Sequence, residues 1–481
     1  MQSIKKQKAA KGTILVQTLV FSALAVLLMS ALAVGAGAAV KASRVATIRE
    51  QAIQVAEAGI DYYRWHLAHA QSDYQDGTGA AGPYVHDFYD AAGEKVGTYT
   101  LTITPPPTGS TIVTIQSTGA MDANPEVTRT IVAQLAIPSL AKYAVVANDD
   151  MRFGEGTEVF GPIHSNGGIR FDGVAHNVIT SALSSYNDTD SDDCNGNSSF
   201  GVHTCVSPAD PRAPAAVPSR SDIFMAGRQF PVPAVDFVGL TTDLSAMKAD
   251  AQSGGAYYAN SGKQGYHIIL KTNGTYQLYK VTSVKGATSN CMNWSGASGT
   301  DGWGLWTIQN QTLIGTYSYP SNGIIFVEDN LWVDGQIDNE RLTIASGRFP
   351  DNPSTRTSIT VNSDLLYTNY DGADVLSLIA QNNFNVGYSS DNDLEIDGAI
   401  IAQNGRVGRF YYASQCGTSY VRDTITLYGM IGTNERYGFA YTDGTGYQTR
   451  NLNYDANLLY GPPPSFPLTS DQYQIISWKE I

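Results

Sequence analysis

The chain has 481 residues, enough for one large core or two domains of ordinary size. Charge is unevenly divided: residues 1–49 hold seven Lys or Arg and no acid, leaving 23 basic against 44 acidic side chains, a net of −21, in the rest. A body that acidic repels phosphate backbones, which sets nucleic-acid binding aside as its main work.

Lys5, Lys6, Lys8, Lys11 and Gly12 precede a run from Thr13 to Val40 that contains no ionisable side chain. As a helix it would reach roughly 42 Å, more than the ~30 Å hydrocarbon core of a bilayer. It is too long for the apolar region of a secretory signal, about 7–15 residues. The basic run in front predicts a single pass with the N-terminus in the cytoplasm and a large extracytoplasmic domain.

No proline ends the helix. Val45, Ile48, Ala52, Val55, Ala56, Ile60 and Tyr63 recur at three- and four-residue steps, so one continuous helix is expected over 13–70, greasy all round and then amphipathic. Residues 71–93 read as a Gly, Asp and Tyr-rich loop. Gly97–Thr104 and Thr111–Ser117 alternate around the Pro105–Pro107 turn, and Val127–Leu135 follows, giving a small antiparallel β domain over 71–138.

From 141 to 465, short β-branched bursts such as IIFV (324–327) and AIIA (399–402) alternate with Gly, Asn and Asp. Glu158-Val159-Phe160-Gly161 is echoed by Glu395-Ile396-Asp397-Gly398, and Trp332-Val333-Asp334-Gly335 reads as a third variant. Repeated short strands with Gly or Asn at corners predict a parallel β-helix-like solenoid, with a β-sandwich as the alternative. Residues 182–320 read as an insertion, with a helix over Leu240–Ala251 and a hairpin of Tyr266–Leu270 with Thr275–Val281. Residues 466–481 read as a tail lying outside the solenoid or capping it. The expected fold class is therefore mainly β with one long N-terminal helix.

The Lys-rich leader, Gly12 and the long apolar helix resemble the class III signal of type IV pilins and pseudopilins. Residues 11–63, from KGTILVQTLVF to the AEAGIDYY run at 56–63, resemble the N-terminal segment of PilX-type minor pilins. GPIHSNGGIRF (161–171), LIAQNNFNVG (378–387) and RNLNYDANLLYGPPP (450–464) resemble segments of large pilin-like surface proteins of bacteria. The resemblance implies cleavage between Gly12 and Thr13 by a prepilin peptidase, making 1–12 the leader. It also implies the inner membrane as first residence and other pilin-like subunits as partners. Pilins usually carry Glu five residues after the cut, where it pairs with a neighbour's N-terminal amine; here that position is Gln17, and Thr13 replaces the common Phe or Met. An amide cannot neutralise an ammonium inside hydrocarbon. The tip pseudopilin of type II secretion also lacks this Glu, so Gln17 implies a minor or tip subunit.

Four cysteines, Cys194, Cys205, Cys291 and Cys416, follow the membrane segment, in a compartment where disulfides persist. Three pairings are open; Cys194–Cys205 with Cys291–Cys416 is the most economical. Asp188, Asp190 and Asp192 have the alternate-acid spacing of a calcium loop, but Asp193 stands where such a loop needs Gly, so an acidic surface loop is the plainer reading. Asp391, Asp393, Glu395 and Asp397 alternate on an expected strand, predicting one solvated acidic face. His164, in GPIHSN, reads as a ladder histidine before a catalytic base. Tyr367, Tyr370, Tyr388, Tyr411 and Tyr412 would stack on sugars if they faced outward, or fill the solenoid if inward.

The leading expectation is a non-enzymatic minor or tip subunit, or pilin-like adhesin, contacting a surface glycan or protein ligand through the β domain. The alternative is a membrane-anchored carbohydrate-active enzyme, a lyase or glycosidase, on the same scaffold. Hydrolysis would need two carboxylates flanking the scissile bond, and no spacing singles out a pair.

Overall fold

The computed structural model describes residues 13–107, 109–190, 196–237, 239–287, 291, 304–470 and 472–481. The chain divides into two compact units. The first comprises the described residues up to Pro105 with Val113–Ala136 and Gln472–Ile481; the second comprises Pro106–Ile112 and the described residues from Ile137 to 470.

In the first unit α1 runs unbroken over Thr13–His69, 57 residues or roughly 86 Å. The hydroxyls of Thr18, Ser22 and Thr47 bond back to carbonyls three or four residues earlier, so these polar groups are satisfied within the helix. Beyond His69 the chain turns around Asp73, whose carboxylate accepts the N–H groups of Gln75 and Gly77. Its carbonyl accepts the Tyr63 hydroxyl at 2.9 Å.

Strands β1 (Tyr84–Tyr89), β2 (Lys95–Thr104), β3 (Val113–Met121) and β4 (Asn124–Ala136) form an antiparallel meander. The last strand of the chain, Gln474–Glu480, adds antiparallel to β4, so the sheet has five strands in the order β1-β2-β3-β4-C-terminal strand. Two of these differ from the expected pattern: β1 lies inside the stretch read as loop, and the tail is a strand of this sheet.

The second half of α1 packs across β2, β3 and β4, burying Ala52, Val55, Ala56, Ile60, Tyr63 and Leu67. Glycines set how close helix and sheet come. A Cβ on Gly119 of β3 would sit 2.2 Å from the Ala52 carbonyl oxygen and 2.5 Å from the Ala56 nitrogen. One on Gly59 would meet the Ser117 hydroxyl oxygen at 2.3 Å. In the Ala56-Glu57-Ala58-Gly59 run, Ala56 and Gly59 are buried while Glu57 faces outward.

The second unit is a coil of short parallel strands with three faces. On the first face, strands containing Ile325, Ile344, Leu378, Ile400, Ile431, Val145, Ile163 and Ile179 pair in that spatial order. These eight side chains stand in register and all are buried. Adjacent strands lie about 4.8 Å apart, so each coil buries its apolar side on the next. The stacking order is not the chain order. Val145–Ala147, the earliest of these strands, pairs with 431–433 of the latest, Val421–Thr433.

An amide ladder follows the same face. Asn166 Nδ2 donates to Asn148 Oδ1 at 2.7 Å, and Asn148 Nδ2 donates to Asn434 Oδ1 at 3.0 Å. The outer side of this face, including Phe326, Ala345, Ile379 and Ile401, shares one apolar cluster with Leu244, Met247 and Ala251 of α2 (Gly239–Gly254).

The expected hairpin is present as Gly265–Lys271 with Thr275–Val284. It is also part of the solenoid's hydrogen bonding, since Gly265–Lys271 pairs in parallel with Leu331–Ile337 and Ala256–Tyr258 pairs with Ile324–Val327. The repeat seen in the sequence is in true register for one pair of copies. Glu395 aligns with Thr426, Thr426 with Asn451, and Asn451 with Glu158. The third variant is not, because Gly335 aligns through Leu365 with Ile396 rather than with Gly398. The fold is mainly β, with one long N-terminal helix, an antiparallel sheet and a large parallel-strand solenoid.

Candidate functional site

The first half of α1 is long and apolar enough to cross a membrane, and residues 14–44 are all exposed. Each large apolar side chain from Ile14 to Val40 is at least 49% exposed. An exposed apolar surface this continuous needs another apolar phase to cover it, lipid or partner helices. Thr13 opens the helix, while Gly12 lies outside the described residues. Gln17 is exposed on the apolar arm. Among the described residues its amide has no hydrogen-bond partner, so it presents a donor and an acceptor to whatever surrounds the arm. From Ala52 onward the same helix is fixed to its sheet, so the arm is rooted in a folded unit.

The acidic side of the expected strand is not solvated along its whole length. Asp391 and Asp393 are exposed and Glu395 is half-buried, but Asp397 is fully buried. On the strand Asp393–Ala402 it alternates with the core residues Leu394 and Ile396, so it stays on the outer side and is covered there, where Tyr370 meets it. One carboxylate oxygen of Asp397 accepts the Tyr367 N–H and the Tyr370 hydroxyl, both at 2.8 Å; the other has no partner among the described residues. Burial pushes its pKa up to about 6. Nearby Asp455 is also buried and its pKa is raised by burial; it accepts the Asn457 N–H and the Tyr428 hydroxyl. Tyr370, 49% exposed, stands edge-on to Tyr428 at 5.1 Å. A raised carboxyl is what a general acid needs, but Asp397 offers no exposed surface to a substrate.

Asp188 and Asp190 are already engaged by other side chains. Asp188 faces His203 Nε2 at 3.2 Å, and Asp190 pairs with both Arg152 and Arg436. Carboxylates already occupied in this way are poor calcium ligands, and Asp192 lies outside the described residues. Asp188, His203 and Cys205 come within 4.8 Å of one another. Cys205 is in a disulfide, which removes its thiolate as a metal ligand. Cys194 lies outside the described residues.

Cys291 and Cys416 are bonded to each other across 125 residues. They share a cluster with Leu305, Tyr388 and Tyr412.

His164 is fully buried on the outer side of the first solenoid face, bonded to Thr180 Oγ1 at 2.9 Å and Asn166 Oδ1 at 3.1 Å. Burial lowers its pKa. It is a ladder residue with no open side. Of the five tyrosines, Tyr367, Tyr388 and Tyr412 are interior; Tyr370 is exposed and Tyr411 half-exposed.

Arg409, which has no sequence motif to mark it, is fully buried with no carboxylate partner among the described residues. It donates to the carbonyls of Gly387, Tyr388 and Ser419 and to Ser390 Oγ, and lies over the Tyr412 ring.

No family model and no curated protein matches the chain. Among solved structures, the competence-associated pilin ComZ from Thermus thermophilus matches over 90% of this chain and 98% of its own. The identity is 12% and the TM-score 0.26, a likeness that carries no argument about function.

Proposed function

We propose that the chain is a membrane-anchored, pilin-like subunit in which the exposed half of α1 is the anchoring and assembly element. The single observation behind this reading is one helix with two surfaces: apolar and uncovered over residues 14–40, packed on a sheet from Ala52 onward. A cleavable signal has no need of such a root. The apolar arm would sit in the membrane before assembly and among partner helices after it, with the solenoid as an extracytoplasmic contact surface for a glycan or protein.

Gln17 supports a minor or tip position, since a subunit that inserts under no other has no neighbouring amine above it to neutralise. The reading is non-enzymatic: Asp397, the most perturbed carboxyl among the described residues of the solenoid, is sealed. Immunolabelling of purified filaments with antibody to the solenoid tests the position. Label at ends or at rare points is expected, and uniform decoration along the shaft would sink the tip reading. A reducing-sugar assay on surface polysaccharides tests the rest, since turnover would replace a binder with an enzyme.

A further inference from the structure

In the first unit, a groove of about 650 Å³ opens where the apolar run ends. Ala38, Ala42, Val45 and Ala46 give it a small-residue floor; Lys41, Arg49 and Arg129 supply cations, and Glu50 is the one acid among its lining residues. Lys41, Arg44 and Arg49 are exposed on α1. Among the described residues none of the three is paired with a carboxylate. Arg129, on β4, pairs with Glu480 of the C-terminal strand.

The placement follows from bilayer dimensions. A total thickness of about 40–45 Å around a ~30 Å core leaves a headgroup layer of roughly 5–8 Å on each side. At about 1.5 Å per residue that layer spans about four or five residues. With the apolar run filling the core up to Val40, Lys41 to Val45 lie in the headgroup layer, and Arg49 reaches back to it along its own stem.

We infer that this groove holds the phosphate headgroup of an anionic phospholipid from the leaflet facing the folded body. Lys41 and Arg49 would be the recognising cations, and the alanine floor would admit the glycerol end. Charge complementarity and depth favour a lipid over a partner helix, which would bring apolar side chains to a groove rimmed by cations. The inference rests on the membrane-anchor reading, and it holds whichever way the helix is oriented.

The test uses the full chain, reconstituted in bilayers of equal parts phosphatidylcholine and phosphatidylglycerol. The protein is then extracted in detergent and its retained lipids are identified by native mass spectrometry. Wild type is expected to retain phosphatidylglycerol selectively. The double variant Lys41→Gln/Arg49→Gln should lose that selectivity by about thirtyfold, at roughly fivefold per basic group near an anionic surface. Glu50→Gln should strengthen retention, and Arg64→Gln, an exposed arginine about 22 Å further along α1, should leave it unchanged.

Equal retention of the two lipids by wild type, or undiminished selectivity in the double variant, would overturn the headgroup site. So would displacement of the lipid by free inorganic phosphate at equimolar concentration. Failure of the anchor reading looks different: wild type would then be recovered without detergent and carry no lipid at all.

Discussion

Replacing Asp397 by Asn isolates the ionisation of one sealed carboxyl. The folded-state pKa of about 6, against an ordinary 3.8, is a difference of about two units, or about 3 kcal/mol at 1.36 kcal/mol per unit. A raised acid pKa means that the folded state binds the proton more tightly than the unfolded chain does. The extra stability is present in full below the unfolded pKa of 3.8 and is lost as pH rises through about 6.

D397N removes the titration and keeps an oxygen for the Tyr367 N–H and Tyr370 hydroxyl. It puts an amide N–H where the unpartnered oxygen was, a cost of about 1–2 kcal/mol that does not depend on pH. The difference between variant and wild type should therefore shift toward the variant by about 3 kcal/mol, at most, between about pH 4 and pH 8. Urea denaturation of both proteins across that range, followed by near-ultraviolet circular dichroism, measures it. A difference that stays flat with pH, or shifts toward wild type, would refute the buried, raised carboxyl.

Three other variants test packing. Gly119→Ala should destabilise the first unit by about 2–3 kcal/mol, because its Cβ meets helix backbone that cannot move alone; limited proteolysis between α1 and β1 reads this. Cys291→Ser with Cys416→Ser should lower the unfolding free energy by about 3–5 kcal/mol for a loop of this length, seen in denaturation with and without reductant. Arg409→Leu should cost about 3 kcal/mol or more, since three carbonyls lose a charged donor; an unchanged melting temperature would contradict the buried cation.

How legible the molecule was depended on whether the signal was local. The helix was readable from its periodicity and lack of proline, over 13–70 expected and Thr13–His69 found. Solenoid strands were readable as bursts bounded by Gly and Asn, but not their stacking order, because Val145 resting on Ile431 leaves no mark in either segment. The same limit hid the C-terminal strand, whose partner β4 lies more than three hundred residues earlier.

β1 was missed for another reason. YVHDFY alternates in burial, but only six residues of it sit among glycines and aspartates. Asp397 keeps the outward alternation, but it is buried by Tyr370, which comes from a separate segment and leaves no mark in the strand's own pattern. Its orphaned oxygen and the carboxylate-free burial of Arg409 are properties of the packed state alone.

The most direct test of the account is the N-terminal sequence of the protein recovered from washed membranes of the cells that make it. A polypeptide beginning at Thr13, with the apolar arm intact, is the predicted result. A mature chain beginning beyond Val40 would mean that the arm is discarded, and would contradict the reading of α1 as anchor and assembly element.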